Sequence, residues 1–221
     1  MKSISRQDGF TLIEVIIAVA LVAIMAVAVA PPLVQNIKQG KITRAQNDAQ
    51  TLGTAFLNYY KDIGEWPTHE GATALTIMAG NGSLGGGRAG IPAGSPAVPG
   101  SENWAMAASI GDMSRHLTGN KPATTNPLMI SSQNPNATSR WNSPYTGGVP
   151  LDPWGNAYLV AIKYGQPALT GTTTEDYDKH NIMVLSAGPN KIIETPLDDT
   201  VFDEIPGGDD IGYMVQRASR F

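Results

Sequence analysis

The run from Val15 to Ala30 is sixteen residues without a charge. Carried back to Phe10, the apolar segment is 21 residues long, and Glu14 is its only ionisable group. A membrane-spanning helix needs about 20 residues, so residues 10–30 predict one. Pro31-Pro32 follows. A proline inside a helix removes a backbone donor and clashes with the preceding turn, so the pair predicts a break. Beyond it, Ala45, Ala49, Leu52, Phe56, Tyr59 and Ile63 recur at spacings of 4, 3, 4, 3 and 4. That is one face of a helix. Lys38, Lys41, Arg44, Asp48 and Lys61 fall mostly elsewhere. Residues 31–63 therefore read as the amphipathic half of a long helix, with Gly64 and Pro67 as stop signals. Its stripe predicts packing under a globular head, residues 64–221.

The head reads in two parts. Residues 79–150 hold 12 of the 24 glycines and 8 of the 16 prolines but only six charged residues. Such a stretch predicts a loop-rich insert, with one short helix around Trp104–Leu117. A loop of this length is functional or disordered more often than it is part of a compact core. After it, Leu151-Asp152-Pro153-Trp154-Gly155-Asn156 makes a turn into a strand at residues 157–162. A second strand spans Ile182–Ser186 and runs into the turn Ala187-Gly188-Pro189-Asn190. The fold class is α+β: a long N-terminal helix packed on a small C-terminal antiparallel sheet. An acidic loop spans residues 187–212.

Glu14 requires an explanation. A carboxylate at the centre of a spanning helix costs about 2.5–3.5 kcal/mol, and less near the ends. A cleaved secretory signal has an apolar core of only about 7–15 residues. A plain single-pass anchor accounts for the length and leaves Glu14 unused. The leader Met1–Asp8 carries Lys2 and Arg6, which stay on the cytoplasmic side. Glu14 lies four residues from Phe10 on the same helix face.

Gly9-Phe10-Thr11-Leu12-Ile13-Glu14 resembles the class III signal of type IV pilins and type II secretion pseudopilins. The resemblance implies that a prepilin peptidase cuts between Gly9 and Phe10, removing residues 1–9, and methylates the new amino terminus at Phe10. It implies that Glu14 pairs with a terminal ammonium, its own or a neighbour's, during filament assembly. Two further matches follow in the family's order. Tyr60-Lys61-Asp62-Ile63-Gly64-Glu65-Trp66-Pro67-Thr68 and the Ala74-Leu75 beyond it resemble the turn after the long helix of major pseudopilins. Asp152-Pro153-Trp154-Gly155-Asn156 and then Ser186-Ala187-Gly188-Pro189 resemble their sheet turns. The large insert departs from the compact members.

Composition narrows the picture. A net charge of −4 and the lack of a basic patch give no case for nucleic acid. Cysteine is absent, so no disulfide staples a head that the resemblance puts outside the cytoplasm. Gly80-Asn81-Gly82-Ser83-Leu84-Gly85 fits a dinucleotide pattern, but Gly86-Gly87-Arg88-Ala89-Gly90-Ile91-Pro92 cannot open the helix that the pattern needs. Asn136-Ala137-Thr138 is a glycosylation acceptor that arises often by chance. His69, His116 and His180 lack metal-ligand spacing and read as surface or capping residues. No catalytic constellation stands out, and an enzyme is not expected.

The tail carries the candidate ion chemistry. Between Ile192 and Gln216 lie Glu194, Asp198, Asp199, Asp203, Glu204, Asp209 and Asp210, with no Lys or Arg. A charge run is ordinarily a solvated loop. In the family, a loop after the Ser-x-Gly turn that ends in Asp-Ile binds one calcium. Asp210-Ile211 fits that end and Asp209 precedes it. Asn190 stands where relatives often carry Asp, so Asp198 or Asp199 would complete the ligand set. The resemblance as a whole implies a subunit of a type II secretion pseudopilus. It would be held in the bacterial inner membrane, its head periplasmic or outside, until an assembly platform draws it into a filament with its own copies and minor pseudopilins. A type IV pilin, major or minor, is the alternative. A membrane-anchored extracytoplasmic binding protein is the alternative of another class.

Overall fold

The computed structural model describes residues 9–64, 66–67, 69–70, 73–74, 77–80, 93–94, 110–118, 144–162, 182–195 and 206–216. The chain divides into two compact units, residues 1–41 and 42–221. One helix, α1 (Leu12–Ile63), begins in the first and ends in the second.

In the first unit every described side chain from Phe10 to Lys41 is exposed. The expected break at Pro31-Pro32 does not occur: both prolines lie inside α1. A proline deletes one amide donor, but its fixed φ is itself helical. The helical turns on both sides therefore carry the helix through two missing hydrogen bonds.

In the second unit the anticipated stripe is the core. Ala45, Ala49, Leu52, Phe56, Tyr59 and Ile63 are buried. The strands are β1 (His69–Glu70), β2 (Thr73–Ala74), β3 (Ile77–Ala79), β4 (Ala93–Gly94), β5 (Ile110–Asp112), β6 (Leu159–Ala161), β7 (Ile182–Ser186), β8 (Ile192–Ile193) and β9 (Ile211–Gln216). A short helix, α2 (Met113–Leu117), follows β5. Five strands form one sheet in the order β5-β3-β6-β7-β9. The pairs β1-β2 and β4-β8 stand apart from it.

The C-terminal strands are antiparallel as expected, β6 with β7 and β7 with β9; one parallel pair makes the whole sheet mixed. β3 pairs in parallel with β5, and its other neighbour β6 is antiparallel. Parallel neighbours need a crossover of a dozen or more residues, and residues 80–109 supply it. Of the short helix expected around Trp104–Leu117, Met113–Leu117 is helical and Ile110–Asp112 is drawn into the sheet; residues 104–109 lie outside the described residues. Asp112 caps that helix, accepting from Ser114 N at 2.8 Å.

Alternation divides the sheet's side chains between two clusters. Met78, Tyr158, Val160, Ile162, Ile182, Val184 and Val215 pack with Leu52, Phe56 and Tyr59 of α1. Ile77, Ala79, Leu159, Ala161, Met183 and Leu185 form a second cluster with Ile193. Both faces are buried, so β7 reads as an unbroken apolar run. The register places Met78 opposite Val160, Val160 opposite Val184 and Val184 opposite Tyr213. This row faces the helix. Phe56 is fully buried, and burying such a side chain stabilises by roughly 1.5–3 kcal/mol. The ring of Tyr213 lies where a Cβ on Gly53 would be, so Gly53 allows β9 to approach the helix backbone.

Candidate functional site

At the start of α1, Thr11 and Glu14 form a reciprocal cap. Glu14 Oε2 accepts from Thr11 N at 3.0 Å and from Thr11 Oγ1 at 3.0 Å. Thr11 Oγ1 accepts from Glu14 N at 3.4 Å. This is the capping box, in which a Thr and a Glu three residues on satisfy each other's free amides. The Thr-x-x-Glu spacing was legible in the sequence, yet the reading there assigned Glu14 only to a terminal ammonium. Gly9 and Phe10 lie just ahead of the cap, and Phe10 is 87% exposed. Both hydrogen bonds to the carboxylate use Oε2. Oε1 takes no part in these two hydrogen bonds.

The second candidate site is the acidic corner where β7, β8 and β9 meet. Gly188 and Gly208 adopt left-handed φ of 62° and 55°. A side chain at Gly188 would strike the backbone of Asp209, and one at Gly208 would strike the carboxylate of Glu194. The corner closes only because both are glycine. Asp210 Oδ2 accepts from Glu194 N at 2.8 Å, Thr195 N at 2.7 Å and Thr195 Oγ1 at 2.6 Å. Asp209 Oδ2 accepts from Asn190 N at 3.2 Å, and Asp209 N donates to Glu194 Oε2 at 2.8 Å. Asn190 Oδ1 accepts from Ile192 N at 2.7 Å. Burial pushes the Asp210 carboxyl above the ordinary carboxylate range, against the pull of its hydrogen bonds from Thr195 and Glu194.

Of the calcium candidates, Asp209, Asp210 and Asn190 are brought together here, while Asp198 and Asp199 lie outside the described residues. Asp209 Oδ1 and Asp210 Oδ1 are buried without a hydrogen-bond partner among the described residues. Two orphaned carboxylate oxygens suit a hard cation, which takes 6–8 oxygens. Among the described residues, no three Asp, Glu, His or Cys side chains converge as a metal cage. Glu194 belongs to the corner through Asp209 N, a role the sequence did not signal.

A further carboxylate staples the corner to the rest of the head. Asp152 is buried. Its Oδ1 accepts from Trp154 N at 3.0 Å and Asn156 N at 2.7 Å, and its Oδ2 from Ser186 Oγ at 2.8 Å. Ser186 Oγ in turn accepts from Gly188 N at 3.3 Å. One chain of hydrogen bonds thus ties the turn after Leu151 to the turn after β7, where a disulfide could otherwise serve. His116, expected at the surface or as a cap, is instead fully buried in α2, edge-on to Tyr59 at 6.2 Å. His180, the Gly80–Gly85 pattern beyond Gly80 and Asn136–Thr138 lie outside the described residues.

Residues 4–30 match the family model for the prokaryotic N-terminal methylation motif. Residues 106–178 match the model for type II secretion system protein G. The chain is type IV pilin-like. This pilin-like chain is 35% identical over 71 residues to the type II secretion system core protein G of Pseudomonas aeruginosa, covering 32% of the chain and 50% of that relative. It is 34% identical over 82 residues to the core protein G of Vibrio cholerae, covering 37% and 56%. It is also 33% identical over 69 residues to the fimbrial protein EcpC of Eikenella corrodens, covering 31% and 45%. The pilin-like chain spans about half the length of the curated relatives it matches. No solved structure matches it. The protein G match begins inside the stretch read as an insert, so residues 106–150, with β5 and α2, align with the family model.

The Asp152–Ser186–Gly188 chain yields a stability prediction. Ser186→Ala removes the donor to Asp152 Oδ2 and the acceptor of Gly188 N inside the protein. It should lower unfolding free energy by about 1–3 kcal/mol, read by chemical denaturation of the full chain in detergent. A change below about 0.5 kcal/mol, typical of an ordinary surface substitution, would show that the two turns hold without it.

Proposed function

We propose that the chain is a structural subunit of a type II secretion pseudopilus that works by assembly. The observation that carries this reading is the first unit: a helix with a spanning-length apolar segment, exposed at every described side chain, headed by one carboxylate. The relatives named core protein G favour a pseudopilus over a pilus, while those named fimbrial proteins keep a pilin as the alternative. A prepilin peptidase would cut after Gly9 and methylate Phe10. The subunit would rest in the inner membrane, and the assembly platform would draw it into a filament with its own copies and minor pseudopilins.

In this reading Glu14 has two tasks. Oε2 holds the first turn of the helix through Thr11. Oε1 receives a neighbour's terminal ammonium, which brings an incoming subunit into register. A buried carboxylate is tolerated when paired and costly when alone. The pairing therefore favours the filament over a subunit alone in lipid. Glu14→Gln keeps an acceptor for Thr11 and loses the charge, whereas Glu14→Ala loses both. Both variants should reach the membrane at normal abundance and yield few or no sheared filaments. Filaments of Glu14→Gln at the normal number would show that charge pairing is not what aligns the subunits.

Two orphaned carboxylate oxygens in the acidic corner support a reading in which the head binds a calcium ion. Asp209 Oδ1 and Asp210 Oδ1 would face it, and Asp198 and Asp199 would be called on to complete the ligand shell. The ion would hold together carboxylates that otherwise repel. Calcium at a hundredfold excess over its Kd should then stabilise the head by about 2.7 kcal/mol. In thermal melts of the full chain in detergent, calcium should raise Tm, and Asp209→Asn or Asp210→Asn should remove that shift. Magnesium should substitute poorly, because it demands a tighter octahedron and gives up water reluctantly. Identical curves in calcium and in chelator would return the corner to a purely hydrogen-bonded structure.

A further inference from the structure

We propose that Lys38 and Lys41 bind the anionic phosphates of lipid headgroups at the membrane face where the apolar part of α1 ends. The inference rests on the spanning part of the reading above and does not require a filament. It starts from helix length. From Glu14 to Val34 the helix rises twenty residues, about 30 Å at 1.5 Å per residue. The hydrocarbon core of a bilayer is about 30 Å thick. Glu14 at one edge of the hydrocarbon therefore puts Val34 at the other. Lys38 then lies about 6 Å further on and Lys41 about 10 Å, at and just beyond the headgroup layer. A lysine stem can bend back to bring its ammonium to the phosphates.

The two side chains act together. Val34, Lys38, Lys41 and Ala45 follow one another at spacings of 4, 3 and 4, the same rhythm as the stripe buried from Ala45 onward. Two lysines thus occupy one helix face just before that face becomes apolar and buried. Both are exposed, and neither has an ion-pair partner among the described residues. The sequence has no acidic residue between Glu14 and Asp48. Arg44 is different, because it pairs with Asp48 at 3.4 Å. The remaining charge is a pair of uncompensated ammonium groups at phosphate depth.

Their side of the membrane adds to the argument. Lysine and arginine concentrate in segments that stay in the cytoplasm. Here the leader offers only Lys2 and Arg6, and the opposite flank carries Lys38, Lys41 and Arg44. Cleavage after Gly9 would leave the mature helix with this cluster alone. A cationic cluster on the translocated side needs an anionic partner, and the headgroup layer is the partner within reach. In that position the lysines fix how deep the stored helix sits and resist its slipping back.

The absence of cysteine makes the test simple. A donor dye is attached at Gln39→Cys in the full chain, reconstituted in mixed vesicles of phosphatidylglycerol and phosphatidylcholine. Energy transfer to acceptor-labelled versions of each lipid reads which one lies beside the helix. The expected preference for phosphatidylglycerol is up to about thirtyfold, the effect of two lysines near an anionic surface. It should fall with added salt and approach parity in Lys38→Gln/Lys41→Gln. No preference in the parent chain, or the same preference in the double variant, would overturn the proposal. A preference erased by millimolar inorganic phosphate at fixed ionic strength would reassign the lysines to a soluble anion. If the double variant kept its lipid preference but lost filaments, the partner would be a second copy of the chain. Vesicle flotation separates the layers of the argument. A chain that fails to float with either lipid overturns the spanning helix, whereas one that floats without a lysine-dependent preference overturns only this inference.

Discussion

Burial of one helix stripe is the constraint on which the head depends. Ala49, Leu52, Phe56, Tyr59 and Ile63 supply the apolar surface, and the alternate side chains of β3, β6, β7 and β9 close over it. A single sheet layer must bury its apolar face against another element, and α1 is that element on this side. Pairing follows from this need. The row Met78, Val160, Val184 and Tyr213 crosses four strands on the helix side, and a slip of one residue would turn every one of those side chains away. Gly53 shows how close the fit is, since Tyr213 occupies the space of a Cβ there.

The same helix meets different demands along its length. In the second unit one face is buried by its own head. From Val15 to Ala30 every residue is apolar and the described side chains are exposed, so their satisfaction must come from lipid or from other helices. A capped first turn suits both settings, because an uncapped helix start leaves amide donors that hydrocarbon cannot satisfy. Thr11 and Glu14 meet that need with side chains three positions apart in sequence. The acidic corner solves a related problem at the other end of the chain. With no disulfide available, Asp152, Asp210 and Glu194 hold the turns around β7, β8 and β9 by accepting backbone amides.

Much of this was legible in the sequence wherever a period was long enough. The stripe from Ala45 to Ile63 repeats five times, and β7 was bounded by clear turn residues. The misses have local causes. β3 is only three residues long, too short to establish an alternation. β9 shows no clean alternation, its first two residues fall in the stretch read as the acidic loop, and charge drew the reading toward a loop. The parallel pairing of β3 with β5 depends on a crossover that leaves no periodic signal. Pro31-Pro32 carries a strong local preference for a break, and the helical turns around it outweigh that preference. At the candidate sites, Gly9, Phe10 and Glu14 were singled out by resemblance to the class III signal, and Glu14 also as the one ionisable group in the apolar run. The partnership of Glu14 with Thr11 went unread although it has a known signature. The hydrogen bonds of Asp210 to Thr195 and of Asp152 to Ser186 join residues far apart in sequence, and only the folded chain brings them together.

The central claim is that the chain is made as a precursor and becomes a filament subunit when its leader is removed at Gly9. Intact-mass measurement of the protein purified from membranes of cells that carry a prepilin peptidase tests it most directly. The account predicts a mature chain that begins at Phe10 and carries one added methyl group on its new amino terminus. Gly9→Val should hold the chain at the precursor mass in the same cells. A parent protein whose mass still includes Met1 to Gly9 would contradict the account, because Glu14 would then have no terminal ammonium to pair with.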